Sequence, residues 1–149
     1  MKPLELIDGL RRYLQISRLE PDHNGVYTIV FDDGLDIDFI ALNDNLLLIR
    51  SSIAGVPEDP GEHASFYRDL LQANLRFLRD QTASLSFDEE SNQVWLGRTI
   101  AVRQQDLSGF CDLVEDFVNT LQWWRGVASQ EAVPVQMPAD FRSFNMLRP

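Results

Sequence analysis

His23, His63 and Cys111 are the only imidazole and thiol ligands in the chain. A zinc site gathers about four such ligands at close spacing. Here they are scattered, and Cys111 falls on the apolar side of a helical pattern, where a buried structural thiol is expected. Asp32, Asp33, Asp36 and Asp38 have the composition of a calcium loop. An EF-hand, however, needs a loop of about 12 residues ending in Glu between two helices. These acids straddle the hairpin signal Asp33-Gly34, so Asp36 and Asp38 read as the solvated face of a strand and as charges that deter edge-to-edge pairing. Ser51-Ser52 and Ser84 lie in strand patterns without a GxSxG elbow. Gly55, Gly61 and Gly97 are isolated, so no phosphate loop is present. Glu89-Glu90 and Glu115-Asp116 are adjacent acids at a turn and on the polar side of a helix, where carboxylates are solvated. No catalytic, cofactor-binding or metal-ligating residue is assigned. The enzymatic reading that is left is a small carboxylate-using enzyme with Asp36, Asp38 or Glu89 as catalyst.

The totals point the same way. A chain of 149 residues, 44% apolar and 24% charged, has the size and composition of one globular domain. A formal net charge of −10 argues against a nucleic-acid partner, because phosphate backbones are held by clustered Lys and Arg, and Arg11-Arg12 is the only adjacent basic pair. No apolar run is longer than that from Leu46 to Ile49, far short of the roughly 20 residues of a membrane span. No export signal is recognised, and one cysteine suits a reducing compartment, so the expectation is a cytoplasmic protein that does not insert in membranes.

The elements that must position any surface can be taken in order. Leu4, Leu6, Ile7, Leu10, Tyr13 and Leu14 recur at helical spacing and predict a first helix from about Pro3 to Ser17. Pro21 to Gly25 breaks the chain. Val26 to Phe31, Leu35 to Phe39 and Leu46 to Ile53 predict three strands, joined by turns at Asp32-Asp33-Gly34 and Asn43-Asp44-Asn45. Gly55 to Gly61 is a breaker loop. Phe66 to Leu78 predicts a central helix. Thr82 to Phe87 and Gln93 to Ile100 predict two more strands, with a turn at Asp88 to Asn92. Asp106 is placed as N-cap of a last helix carrying Leu107, Phe110, Cys111, Val114, Phe117, Val118, Leu121 and Trp124. Of the adjacent Trp123 and Trp124, one is expected inside and the other over a neighbour, the tail or a partner. The order α-β-β-β-α-β-β-α predicts a single α+β domain over 1–128, with an antiparallel sheet packed by helices, and an extended Pro-containing tail over 129–149.

On the apolar stripe of the central helix (Phe66, Leu70, Leu71, Leu75, Leu78) sits the amide Asn74. It either fixes register at a helix–helix contact, or meets a half-exposed edge or a neighbouring loop. Leu70-Leu71-Gln72-Ala73-Asn74-Leu75 resembles the LLxxN helix of the class I type III secretion chaperones, the Tir-chaperone family. The element order resembles that family up to Gly126, as do the Pro-rich gap before the central helix and the Trp123-Trp124 end of the last one. The tail has no counterpart.

The resemblance implies a bacterial, cytoplasmic homodimer that is not an enzyme. It binds the N-terminal segment of a secreted effector in extended form, keeping it soluble and secretion-competent in the service of virulence. It uses no cofactor and has the ATPase of the secretion apparatus as a further partner. It also places Leu71, Asn74, Leu75 and Leu78 nearest a two-fold axis, with Val94 and Leu96 alongside. Strand addition and a helix-walled groove are the physical means of effector capture. The effector-binding candidates are therefore Leu6, Leu10, Tyr13 and Leu14 of the first helix and Ile29, Phe31, Ile37, Phe39, Leu47 and Ile49 of the strands, although at least half of these six strand residues are expected to fill the core. The alternative of another class is a regulatory or scaffold domain of the YbjN-like kind with the same architecture.

Overall fold

The first helix shows how local chemistry sets the boundaries. In the computed structural model, which describes residues 1–31, 34–80 and 83–128, α1 runs Pro3–Tyr13. Proline costs little there because first-turn N–H groups have no helical acceptor. The Glu5 carboxylate accepts from the Lys2 N–H at 2.8 Å, closing one of those orphan donors. The helix stops four residues earlier than its apolar spacing predicts. Gln15 turns left-handed at φ 57°, Gln15 N–H donates to Arg12 O, and Ile16 N–H donates to Arg11 O. This reversal satisfies the last carbonyls, but it is ordinarily made with glycine. Gln15→Gly is therefore expected to stabilise the fold by about 0.5–1 kcal/mol, raising the thermal midpoint by roughly 1–4 °C in a calorimetric melt.

β1 (Val26–Phe31), β2 (Leu35–Asn43) and β3 (Leu46–Gly55) follow. Gly34 has φ 71°, as the hairpin signal requires; Asp32 and Asp33 lie outside the described residues. The alternation of β2 is obeyed: Leu35, Ile37 and Phe39 are buried, while Asp36 and Asp38 take the other face. The strand then continues past Phe39, because a bulge between Ala41 and Asn43 adds a residue opposite Leu46-Leu47. That extra residue leaves Leu42 exposed, as bulges re-aim side chains. The Asn43 side chain accepts from the Asn45 and Leu46 N–H groups and closes the turn.

α2 (His63–Asp80), β4 (Ser84–Asp88), β5 (Gln93–Ala101) and α3 (Leu107–Ala128) complete the order. The expected start of β4 at Thr82 lies outside the described residues, as does the tail over 129–149. The strands form one antiparallel sheet in the order β1-β2-β3-β5-β4. The fold is a single α+β domain of the predicted element order. Asp106 caps α3, accepting from Gly109 N–H at 2.8 Å.

Among the described residues two units form, Met1–Ser51 with Arg98–Glu115, and Ser52–Gly97 with the part of the last helix from Asp116 to Ala128. In the first, Leu6, Ile7, Leu10, Ile29, Ile37, Phe39, Leu47 and Ile49 are buried, and Phe110 meets Phe39 edge-on at 6.4 Å. In the second, Phe77 lies 5.7 Å from Trp124, and Trp123 stands edge-on to Trp124 at 5.4 Å. Both tryptophans are buried, so neither is left to cover a partner. A side chain as large as indole can turn inward from either position near a helix end.

Candidate binding surfaces

The residues with the widest chemical repertoire are engaged by their own chain. Asp38 accepts from Thr28 Oγ1 at 2.8 Å and from Arg50 Nε at 3.4 Å, forming a polar row across β1, β2 and β3. Ser51 is buried and donates to Asp36 O; Ser52 donates to the Gln93 amide oxygen. A ring nitrogen of His63 lies 2.7 Å from Pro57 O. No group of three or more metal-ligating side chains comes together among the described residues. Cys111 is half-buried rather than fully buried, and burial, with Asp112 nearby, pushes its thiol pKa up. Since the thiolate is the nucleophile, Cys111 should be alkylated by iodoacetamide at pH 8 more slowly than free cysteine, with the adduct followed by mass spectrometry.

The apolar residues of α2 divide between two faces. Ala73 and Phe77 point inward and are buried. Leu71, Leu75 and Leu78 share a face roughly 150° away at about 100° per residue, and they are 69%, 59% and 55% exposed. Leucines at this spacing with this exposure are an uncovered stripe of the kind that marks an association surface. On its flank, the Asn74 carbonyl oxygen accepts from the Leu85 N–H of β4 at 2.7 Å. Its acceptor therefore serves its own chain. Tyr67, one turn before Leu71, lies edge-on to Phe87 at 6.0 Å. Val94 and Leu96, expected beside this stripe, are buried in the subunit's own core and have no surface to offer a partner. They occupy the inward positions of β5, whose burial alternates.

The effector-binding candidates divide by burial. Leu6, Leu10, Ile29, Ile37, Phe39, Leu47 and Ile49 are all buried. Each side chain holds the inward position of its helix or strand, so these seven build the platform under the surface. Leu14 and Phe31 are half-buried, and Tyr13 is 69% exposed. The surface that remains lies at the rim of the sheet, a feature that spacing alone does not reveal.

β1 is one edge of the sheet. At its start, Val26 directs both backbone groups away from β2: its C=O accepts from Asp22 N–H at 2.9 Å, and its N–H donates to the Asp22 carboxylate at 2.9 Å. The hydrogen bond from Val26 holds the Asp22 carboxyl below its ordinary pKa, against the opposing effect of burial. Backbone directions alternate with period two. Thr28 and Val30 therefore also face outward, beyond the reach of Asp22, and the Val30 side chain is 66% exposed. Val30 was missed because Val26 to Phe31 is apolar at nearly every position; the signal for it is the even-numbered parity opposite Ile29.

Residues 5–125 match the sequence model of the Tir chaperone protein (CesT) family. The chain belongs to the Tir chaperone protein family. Its fold is also that of solved structures at low identity. A chain of the ExsC–ExsE complex aligns at TM-score 0.69 with 19% identity, covering 86% of this chain and 94% of that one. The HopA1–SchA chaperone–effector complex gives 0.68 and 18%, covering 83% and 92%. The Yersinia pestis type III secretion chaperone SycH, in complex with a fragment of YscM2, gives 0.60 and 12%, covering 80% and 97%. Comparison with curated protein sequences finds no match. In this Tir-chaperone-family chain no helix among the described residues is long and apolar enough to cross a membrane.

Proposed function

We propose that this type III secretion chaperone is a bacterial cytoplasmic homodimer, joined through α2, that takes the N-terminal segment of an effector as an added strand along β1. The observation that carries effector capture is the outward-facing pair Thr28 and Val30 on an edge strand, with the apolar side chain of Val30 exposed. Main-chain bonds hold an extended partner without demanding a sequence, and alternate side-chain contacts add selectivity. A segment disordered when free loses conformational entropy on binding, so a broad surface is needed to offset it. Tyr13, Leu14 and Phe31 are available for that purpose.

Family membership supports the choice of an effector as client, and the neighbouring complexes of chaperone with effector are of the same fold. The dimer rests on Leu71, Leu75 and Leu78, one stripe that a second copy meets about a two-fold axis. Neither catalysis nor a cofactor is needed for holding a chain extended; the ATPase of the secretion apparatus is the proposed partner for export. To test the reading, the effector recovered by affinity capture from the native bacterium is mapped on the complex by hydrogen exchange. Thr28 and Val30 amides should gain protection while the bound segment remains unfolded. A bound segment that is independently folded, or a β1 rim whose exchange is unchanged, would count against it.

A further inference from the structure

A sheet of five strands in the order β1-β2-β3-β5-β4 has two rims, and an extended chain could in principle take either. The rim at β4 is treated differently by this sequence. Leu85 pairs with Leu96 and Phe87 with Val94. The Leu85 N–H is turned away from β5, because it donates to Asn74 at 2.7 Å. By the same period-two rule, Phe87 faces outward as well. Both outward positions are met from one helix: Asn74 opposite Leu85, and Tyr67 with its ring against the Phe87 ring at 6.0 Å. The helix numbers fall as the strand numbers rise, so α2 runs antiparallel to β4. Covering an edge with a helix is one of the ways proteins suppress sheet-to-sheet pairing, but an apolar cover leaves the edge donors unsatisfied. An amide at position 74 removes that liability.

We infer that Asn74 is an edge guard. It occupies the outward donor of Leu85 on β4, so that a second copy's β4 cannot pair there, and strand addition is confined to β1. The amide that interrupts the leucine-rich helix is thus a specificity-determining residue that acts inside its own subunit. Confinement of the effector to β1 rests on effector capture by strand addition. Closure of β4 does not, because it is read from the chain alone.

The test uses the full chain carrying Cys111→Ser and the reporter Ser86→Cys. If two β4 strands paired antiparallel about residue 86, the two introduced thiols would stand directly opposite, with Cβ atoms roughly 4.5–5.5 Å apart and within disulfide reach. Adding Asn74→Ala should speed oxidative cross-linking between copies by about tenfold or more, since an unsatisfied strand donor seeks a partner. The exposed neighbour change Gln72→Ala should leave the rate unaltered. Equal rates with and without Asn74→Ala would overturn the inference. Should Asn74→Ala fail to fold, hydrogen exchange of the unsubstituted chain decides the matter. A Leu85 amide that exchanges much more slowly than the Thr28 amide upholds the guard, and one that exchanges as fast overturns it.

Discussion

A chain carrying Leu71→Asp and Leu75→Asp is expected to run as a monomer under light scattering at concentrations where the unsubstituted chain is expected to run as the proposed dimer. Burying a leucine side chain contributes roughly 1.5–3 kcal/mol; a two-fold interface loses each of the two leucines twice, so about 6–12 kcal/mol is removed, a weakening of roughly 10⁴-fold or more in the dissociation constant. Two like charges brought against their symmetry mates add to that. The subunit itself should tolerate the change. Leu71 and Leu75 are 69% and 59% exposed, and surface substitutions away from packed features usually shift stability by within about 0.5 kcal/mol. Helical circular dichroism should stay at its original level and the thermal midpoint should fall only as far as dissociation requires. The contrasting change is Phe77→Asp on the inner face of the same helix, beside Trp124. It should unfold the subunit, since it buries an unpaired charge. A dimer that survives the outer pair of substitutions would move the interface off α2.

The two faces of α2 also show where a sequence stops being informative. Period and length were enough to read a helix there, because leucine and phenylalanine at three- and four-residue spacing leave no competing strand pattern. The inward face could not be chosen from hydrophobicity, since Phe66, Leu70 and Phe77 on one side are matched by Leu71, Leu75 and Leu78 on the other. What distinguishes them is a small residue, Ala73, which lets the inner face approach its neighbours closely. Asn74 presented the same ambiguity, and its partner, the backbone of Leu85, is 11 residues away in a strand whose register no local signal fixes. In β2 the alternation of Leu35, Ile37 and Phe39 with Asp36 and Asp38 is strict, and the apolar face of the strand is legible from it. The candidate surface is ambiguous in the sequence for the same reason. Residues chosen for being apolar, such as Leu6, Leu47 and Val94, are the ones the core claims first. The binding surface is left to backbone groups at an edge and to apolar residues of the minority parity.

That reasoning makes the rim of β1 the place where a small change should have a large effect on function. Val30→Pro deletes an N–H that faces away from β2, so no bond to β2 is lost, and proline is tolerated on edge strands for this reason. An effector strand, by contrast, loses a main-chain bond and meets the pyrrolidine ring. The expected loss of about 1–3 kcal/mol corresponds to roughly 5–150-fold weaker binding of the captured N-terminal segment, measured by calorimetry with the purified complex partners. Phe87→Pro supplies the matched control, because it makes the same change at an outward position of the rim that α2 covers and should leave affinity within about twofold. Circular dichroism on both variants separates binding from folding. Weakening by Phe87→Pro alone would exchange the roles of the two rims. Indifference to both would mean that the segment is held by side-chain contacts around Tyr13 and Leu14, without joining the sheet.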